Sequence, residues 1–246
     1  MRPLSAQLRA EITMLATNGE TLFLTLGIPV LFLLFFSAVH VLPTGTRHPV
    51  DFLVPGILAL AVMSTSMTAL GIGTGFERGY GVLKRLGTTP LGRPRLLAAK
   101  IIAIIGVELV QAVVLVAVGY ALGWNPGGPG GAGALVGAAI GAMVLGTVAF
   151  GGVGLLLAGT LKPLVNLAVV NGLFVVLLLL GGMLIPLGKL PHWLAQVAKV
   201  LPASALADAL HATLGHGTPV TARDWVVLAA WAVAAPVVAG LTFRWE

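Results

Sequence analysis

The sequence predicts an all-α integral membrane protein, and three observations support this fold class. Of its 246 residues, 58% are hydrophobic and only 9% are charged, and the mean hydropathy is +1.03. Six apolar runs are each long enough to cross roughly 30 Å of hydrocarbon as a helix. The basic residues gather in the connections between these runs, because cationic loops resist translocation. A water-soluble core of this size could not bury so much apolar surface.

The N-terminal region predicts a helix that lies on the membrane surface. Residues 3–18 carry Leu4, Leu8, Ile12 and Leu15 at nearly helical spacing, with polar side chains between them. This pattern is amphipathic and too polar to span a bilayer. The helix either simply precedes the first span or also borders a partner subunit.

The apolar runs predict six transmembrane helices and therefore place both termini on one side. The predicted spans are about 21–39, 52–75, 101–122, 133–159, 163–185 and 225–243. Ten Lys and Arg residues lie on the side of the loop at 76–100, against four on the other side. The excess of basic residues predicts that this side, with both termini, is cytoplasmic. We expect a single membrane domain over residues 1–246.

Residues 186–222 form the only long connection on the outer side. They show helical periodicity, but prolines interrupt it at 186, 191 and 202. Runs of about ten residues are too short to span a bilayer. We therefore expect short helices that re-enter or lie on the outer leaflet, with a plain exoplasmic loop as the alternative.

The loop at 76–100 is the longest polar interruption, and it holds six basic residues against one acid, Glu77. Together with the net charge of +6, it indicates a topology signal and contact with anionic membrane lipid rather than nucleic acid. Gly182–Leu190 is the nearest approach to a phosphate-binding loop, but it is one residue too long and lacks the magnesium-binding hydroxyl. We also find no catalytic or metal-binding constellation. The chain is expected to be non-catalytic and to hold no cofactor or metal.

Polar side chains within the predicted spans are the candidates for a translocation path, because such groups are costly in hydrocarbon unless they meet partners or water. The possible path residues are Glu108, Gln111, Ser64, Thr68, Asn166 and Asn171. The alternative is that they only join helices by hydrogen bonds. A proton-coupled secondary transporter would need a central carboxylate such as Glu108, and this remains the alternative function, although the sequence shows no inverted repeats.

Three segments resemble the permease subunits of type-2 ATP-binding-cassette exporters, the daunorubicin-resistance-like group. The first is the start of the second span, DFLVPGILAL at 51–60. The second is the loop, with Glu77-Arg78, the residues at 81–86, the residues at 89–91, and Lys100. The third is the outer segment between Gly182 and Leu210. The chain departs from the family pattern at Tyr80-Gly81, at Ala203-Ser204-Ala205 and at His211.

The resemblance implies a mechanism and partners. Such a permease pairs with a second permease chain, as a homodimer or a paralogous heterodimer, and each chain docks on a separate ATPase subunit that binds ATP and magnesium. It exports an amphipathic drug, lipid or glycan-lipid, as in multidrug resistance, across the plasma membrane. The loop would carry a short coupling helix that contacts the ATPase. The expected coupling residues are Glu77, Arg78, Tyr80, Gly81, Leu83, Lys84, Arg85, Leu86, Thr89 and Pro90.

Overall fold

The computed structural model describes residues 23–39, 49–87, 93–127 and 132–243, with a few isolated positions before residue 20. This described part of the chain is helical, without strands. The helices are α1 (Ile28–Ala38), α2 (Pro49–Gly79), α3 (Val82–Gly87), α4 (Arg93–Ala121), α5 (Ala132–Thr160), α6 (Pro163–Leu180), α7 (His192–Ala198), α8 (Pro202–Leu210) and α9 (Ala222–Thr242). The predicted interfacial helix at 3–18 falls outside the described residues apart from those isolated positions.

Five of the described helices are long and apolar enough to cross a membrane: α2, α4, α5, α6 and α9. The first predicted span, at 21–39, corresponds to a shorter apolar helix, Thr25–Ala38. A π-helical turn at Phe23–Gly27 leads into it. The five long helices make the chain a multi-pass membrane protein. A membrane span at 21–39, and with it the total of six, stays a prediction.

Helix α2 is the centre of the bundle. Every residue from Leu53 to Met63 is buried, which means that the helix is covered on all sides. An apolar sequence all round a helix is what such a central position requires. Helices α1, α4, α5 and α8 pack against this half of α2, and α6 packs against its second half, Leu70–Gly79.

Close helix crossings in the bundle depend on glycine. A Cβ on Gly71 of α2 would lie 2.9 Å from Cα of Gly154 of α5, and one on Gly152 would lie 2.6 Å from the nitrogen of Pro236 in α9. Near the start of α5, glycine recurs at four-residue spacing, at 133, 137 and 141, and this pattern favours close packing of another helix or a subunit. No described atom lies within 4 Å of an added Cβ at Gly137, whereas Gly141 approaches Trp225. The tightest contacts of α5 therefore lie further along this helix.

Helix α6 ends before the apolar run does. The predicted span extends to 185, but the helix stops at Leu180, and the backbone of Gly182 has a φ of +70°. A glycine with positive φ just beyond the last turn is a common way to end a helix. The apolar residues at 183–185 therefore belong to a non-helical segment.

The segment that follows α6 contains short helices, as predicted. Helix α7 keeps large apolar side chains exposed, with Trp193 at 68% and Val197 at 48%. Helix α8 is buried along almost its whole length and packs among α2, α5 and α9. Serial prolines explain the break between the two, since Pro202 begins α8 and cannot continue a preceding helix.

Candidate functional site

The connection between α2 and α4 begins with a tight turn. Gly81 has a φ of +74°, a conformation that favours glycine, and it separates the end of α2 from the six-residue helix α3. The side chain of Tyr80 is 77% exposed in this turn and stacks on Phe76, with the ring centroids 6.1 Å apart. The turn therefore presents an aromatic side chain at the surface of the bundle.

Helix α3 has a buried face and an exposed face. Leu83 is fully buried in an apolar cluster. The buried members of this cluster are Leu70, Leu83, Leu96, Leu97, Ile104, Leu155, Ala239 and Phe243. Val82, Lys84 and Arg85 are exposed on the other side of the same short helix.

Of the expected coupling residues, Leu83 thus faces the bundle, whereas Tyr80, Lys84 and Arg85 are exposed. Val82 is exposed beside them. Val82 was not among the residues expected from the sequence, because its exposure depends on how α3 packs on the bundle. The side chain of Leu86 and the residues Thr89 and Pro90 lie outside the described part of the chain, so their expected role stays a prediction.

Two polar contacts attach the end of α2 to other helices. Nζ of Lys100 in α4 lies 2.8 Å from Oε2 of Glu77, and the Lys100 side chain is only 2% exposed. Nη2 of Arg78 donates to the carbonyl oxygen of Leu161 at 2.7 Å, in the connection between α5 and α6. The beginning of the loop is therefore held to α4 and to the end of α5.

Gln111 joins three helical segments inside the bundle. Its Nε2 donates to the carbonyl oxygen of Thr25 before α1, and its Oε1 accepts from Oγ1 of Thr65 in α2 at 3.0 Å. Both halves of the amide are thus satisfied. Thr65 lies in the π-helical stretch Ser64–Ala69 of α2, between the two predicted path residues Ser64 and Thr68.

Glu108 lies one turn away on α4 but belongs to a different contact. Its side chain is buried at 4% exposure, and its Oε2 accepts from the hydroxyl of Thr147 in α5. Oε1 has no hydrogen-bond partner among the described residues. Glu108 and Thr147 also line a cavity of about 310 Å³ between α4 and α5.

The two asparagines of α6 differ in their surroundings. Asn166 is fully buried, and its Nδ2 donates to the carbonyl oxygen of Gly71 in α2 at 2.9 Å. Asn171 is exposed and donates to Leu167 of its own helix. Gln111 and Asn166 thus join helices, whereas Glu108 lines the cavity and Asn171 lies at the surface. A translocation path through the six residues stays a prediction.

The second span and the outer segment make a contact that was not expected from the sequence. A Cβ on Gly56 of α2 would overlap the carbonyl oxygen of Met183. Nε2 of His211, just after α8, lies 3.1 Å from the carbonyl oxygen of Phe52, and the two rings stack with centroids 4.3 Å apart. Burial lowers the pKa of His211 to about 4, so the ring is neutral at pH 7 and donates to that carbonyl. The Pro-Gly pair at 55–56 was the sequence feature that could have indicated this close approach.

The geometry can be compared with known proteins. A comparison with curated proteins finds no significant match. Residues 4–214 match the protein-family model described as ABC-2 type transporter. This range includes all three segments whose resemblance was noted, with the α2–α4 connection and helix α8. The match covers far more than half of the 246 residues. The chain therefore belongs to the ABC-2 type transporter family, as a transmembrane component of an ABC transporter, and this membership implies an ABC ATPase partner in general.

Proposed function

We propose that this chain is the permease subunit of an ATP-driven exporter that moves an amphipathic drug, lipid or glycan-lipid out of the cytoplasm. The energy comes from ATP and magnesium bound in a separate ATPase subunit, and a second permease chain completes the membrane part. In this proposal the chain has six spans, with the helix at Thr25–Ala38 as the first, and both termini lie in the cytoplasm. Helices α7 and α8 re-enter from the outer side of the plasma membrane.

The observation that carries this proposal is the two-faced helix α3. Its exposed face, with Val82, Lys84 and Arg85, and Tyr80 in the turn before it offer apolar, cationic and aromatic groups to a partner. Its buried face inserts Leu83 into a cluster shared by α2, α4, α5 and α9. A force on α3 would therefore reach four spanning helices through close-packed side chains, which deform little when one of them is displaced.

The polar contacts support the same role. The ion pair of Glu77 with Lys100 and the hydrogen bond from Arg78 to Leu161 prevent the end of α2 from moving independently of α4 and α5. Movement of α3 by the ATPase would thus tilt these helices together. Such rocking between two states changes the access of a path, which is how ATP binding would drive export.

The test separates docking from transmission. Tyr80→Ala with Val82→Ser removes the exposed anchor, and we expect the partner ATPase to be lost from a pull-down. Buried apolar and aromatic anchors contribute most to interface affinity. The matched control is Trp193→Ala, which removes a similarly exposed aromatic side chain from α7. Lys84→Ala with Arg85→Ala should weaken association mainly at low salt, because exposed charges are screened within about 8 Å at physiological ionic strength.

Leu83→Ala tests transmission. The variant should still bind the ATPase through the exposed face, but substrate-stimulated ATP hydrolysis and transport should fall. Loss of a buried Leu side chain typically costs about 2–5 kcal/mol, so intact folding is checked by size-exclusion chromatography. Wild-type coupling in both the Tyr80/Val82 variant and Leu83→Ala would contradict the proposal. Transport that stops when a proton gradient is collapsed, with ATP present, would favour the secondary transporter instead.

A further inference from the structure

The cavity between α4 and α5 is an apolar groove with one buried acidic residue, Glu108, in its lining. Its volume is about 310 Å³, within the range of small-molecule sites. Leu109, Val113, Ile140 and Val144 form part of its walls, and each of these side chains is exposed at the bundle surface. The groove therefore opens sideways, towards the surrounding lipid.

Glu108 and Tyr120 lie towards opposite ends of the groove. They are twelve residues apart on α4, which corresponds to about 18 Å along the helix axis. Glu108 lies near the middle of α4, and Tyr120 and Trp124 lie where α4 ends. The groove thus extends from the middle of the bundle towards the end where the aromatic side chains gather.

The carboxyl group of Glu108 is incompletely satisfied. Its Oε1 is buried without a hydrogen-bond partner among the described residues. Its Oε2 has Thr147, but Oγ1 of Thr147 also lies 2.8 Å from the carbonyl oxygen of Met143. A hydroxyl has one proton and can donate to only one acceptor at a time. At least one oxygen of Glu108 therefore has room for a donor from elsewhere.

No described basic side chain supplies that donor. The ion pairs found in the described residues join Lys100 to Glu77 and Arg223 to Asp208 and Asp224, and none of them includes Glu108. A carboxylate in hydrocarbon is costly unless it meets a cation or hydrogen-bond donors. A ligand that enters the groove with a cationic donor would remove this cost.

We propose that the groove between α4 and α5 binds a lipophilic ammonium ion, with its charged nitrogen at Oε1 of Glu108 and its hydrocarbon body along the apolar walls. This inference deepens the proposed function, since it assigns a ligand class and a lateral site to the exporter. The binding itself requires no ATPase. A neutral amphiphile of equal length binds less tightly, because it leaves the acid without a counter-charge.

Direct binding to the full chain in lipid nanodiscs tests the site. The probe is radiolabelled dodecylamine, which is protonated at pH 7 because alkyl amines titrate near 10. We expect saturable binding above that of empty nanodiscs, and dodecanol should compete at least about tenfold less well. A hydrogen bond to a charged group contributes about 1.5–3 kcal/mol, and 1.4 kcal/mol corresponds to tenfold in affinity.

Three variants locate the binding. Glu108→Gln keeps the shape but removes the charge, so its affinity should fall at least about tenfold. Glu108→Asp keeps the charge and should retain measurable binding. Ala112→Phe fills the groove and should abolish binding, whereas the control Leu164→Phe enlarges an exposed side chain on α6 and should change nothing.

The outcomes are distinguishable. If wild type and Glu108→Gln bind dodecylamine with equal affinity, the ammonium site is overturned. If dodecanol competes as well as unlabelled dodecylamine, the site is also overturned. The dodecanol measurement uses only the wild-type protein, so it does not depend on the folding of a variant. Loss of binding in Ala112→Phe but not in Glu108→Gln means that the groove holds only hydrocarbon, which also overturns it. If dodecylamine binds as expected while the α3 variants leave ATPase coupling intact, the proposed function fails and the site stands. If coupling behaves as proposed and dodecylamine does not bind, only the site fails.

Discussion

At the residue scale, Gly56 illustrates how one position can join two segments far apart in the chain. The carbonyl oxygen of Met183 occupies the space where a side chain at 56 would lie. His211 lies nearby, and its ring stays neutral at pH 7 because burial lowers its pKa to about 4. The ring donates a hydrogen bond to the carbonyl oxygen of Phe52. The beginning of α2 is thus held against the segment after α6 by backbone contacts that only glycine permits.

Gly56→Ala should therefore destabilise the protein. The added Cβ meets backbone rather than the end of a flexible side chain, so either α2 or the segment at 183 must shift. Overpacking of this kind typically costs about 1–3 kcal/mol, measurable as a lower melting temperature in detergent.

Gly73→Ala is the matched control on the same helix. No described atom lies within 4 Å of an added Cβ at position 73. Alanine is the better helix former, by roughly 0.5–1 kcal/mol. The two variants should therefore change the melting temperature in opposite directions, and equal stability of both would contradict the close approach of Met183.

At the element scale, the ion pair between Glu77 and Lys100 links the end of α2 to α4. Lys100 is buried near the start of α4, so its ammonium group depends on Glu77, which keeps 27% of its side chain exposed. Breaking a fully buried pair by removing one partner costs about 3–5 kcal/mol. The partial exposure of Glu77 reduces that cost, because solvent can reach one side of the pair.

Glu77→Gln should lower the stability of the bundle by less than that range, and the double variant Glu77→Gln with Lys100→Met should recover part of the loss. The double change removes both charges, leaving a neutral amide at the partly exposed position 77 and an apolar side chain at the buried position 100. Thermal unfolding of these two variants and of Lys100→Met gives the interaction free energy between residues 77 and 100. A double variant that is no more stable than Glu77→Gln would show that the pair does not hold the helices together.

At the scale of the whole molecule, the exposed apolar side chains agree with a lipid environment. Val113 on α4, Leu164 on α6 and Leu241 on α9 are each more than two-thirds exposed. In water such surfaces would promote association, whereas in hydrocarbon they match the solvent.

The helices also define two ends of the bundle. The hydrogen bond from Arg78 to Leu161 places the α2–α4 loop at the same end as the connection between α5 and α6.

This arrangement gives a topology test. Positions 85, 162 and 189 are all exposed, and the chain has no cysteine, so single cysteines can be introduced there and labelled. Positions 85 and 162 share one end, and 189 follows α6, whose 18 residues span about 27 Å.

In intact cells, an impermeant thiol reagent should label only the Cys variant at 189. All three should react after the membrane is opened, which controls for exposure. Labelling of the variant at 85 from outside would contradict the cytoplasmic assignment of the loop.

By itself, the sequence determined the class of protein and the approximate position of each long span. Hydropathy is a local property that adds up along the chain, so runs such as those of α4 and α5 are recognisable without knowing their neighbours. The transporter family was recognisable from segments such as 51–60 and the loop at 76–100, and the family match confirms it. The predicted end of the fifth span, at 185, was wrong because hydropathy does not detect the change of backbone direction at Gly182.

The tertiary structure decided which polar groups meet. Glu108 and Thr147 are 39 residues apart, and Gln111 and Thr25 are 86 residues apart, so no spacing in the sequence could pair them. Nor could periodicity over the six residues of α3 show that Leu83 is buried and Val82 exposed. In hydrocarbon a polar group is satisfied only by whichever helix packs beside it. That choice depends on how all the helices fit together, and it leaves Glu108 facing a groove while Gln111 is fully paired.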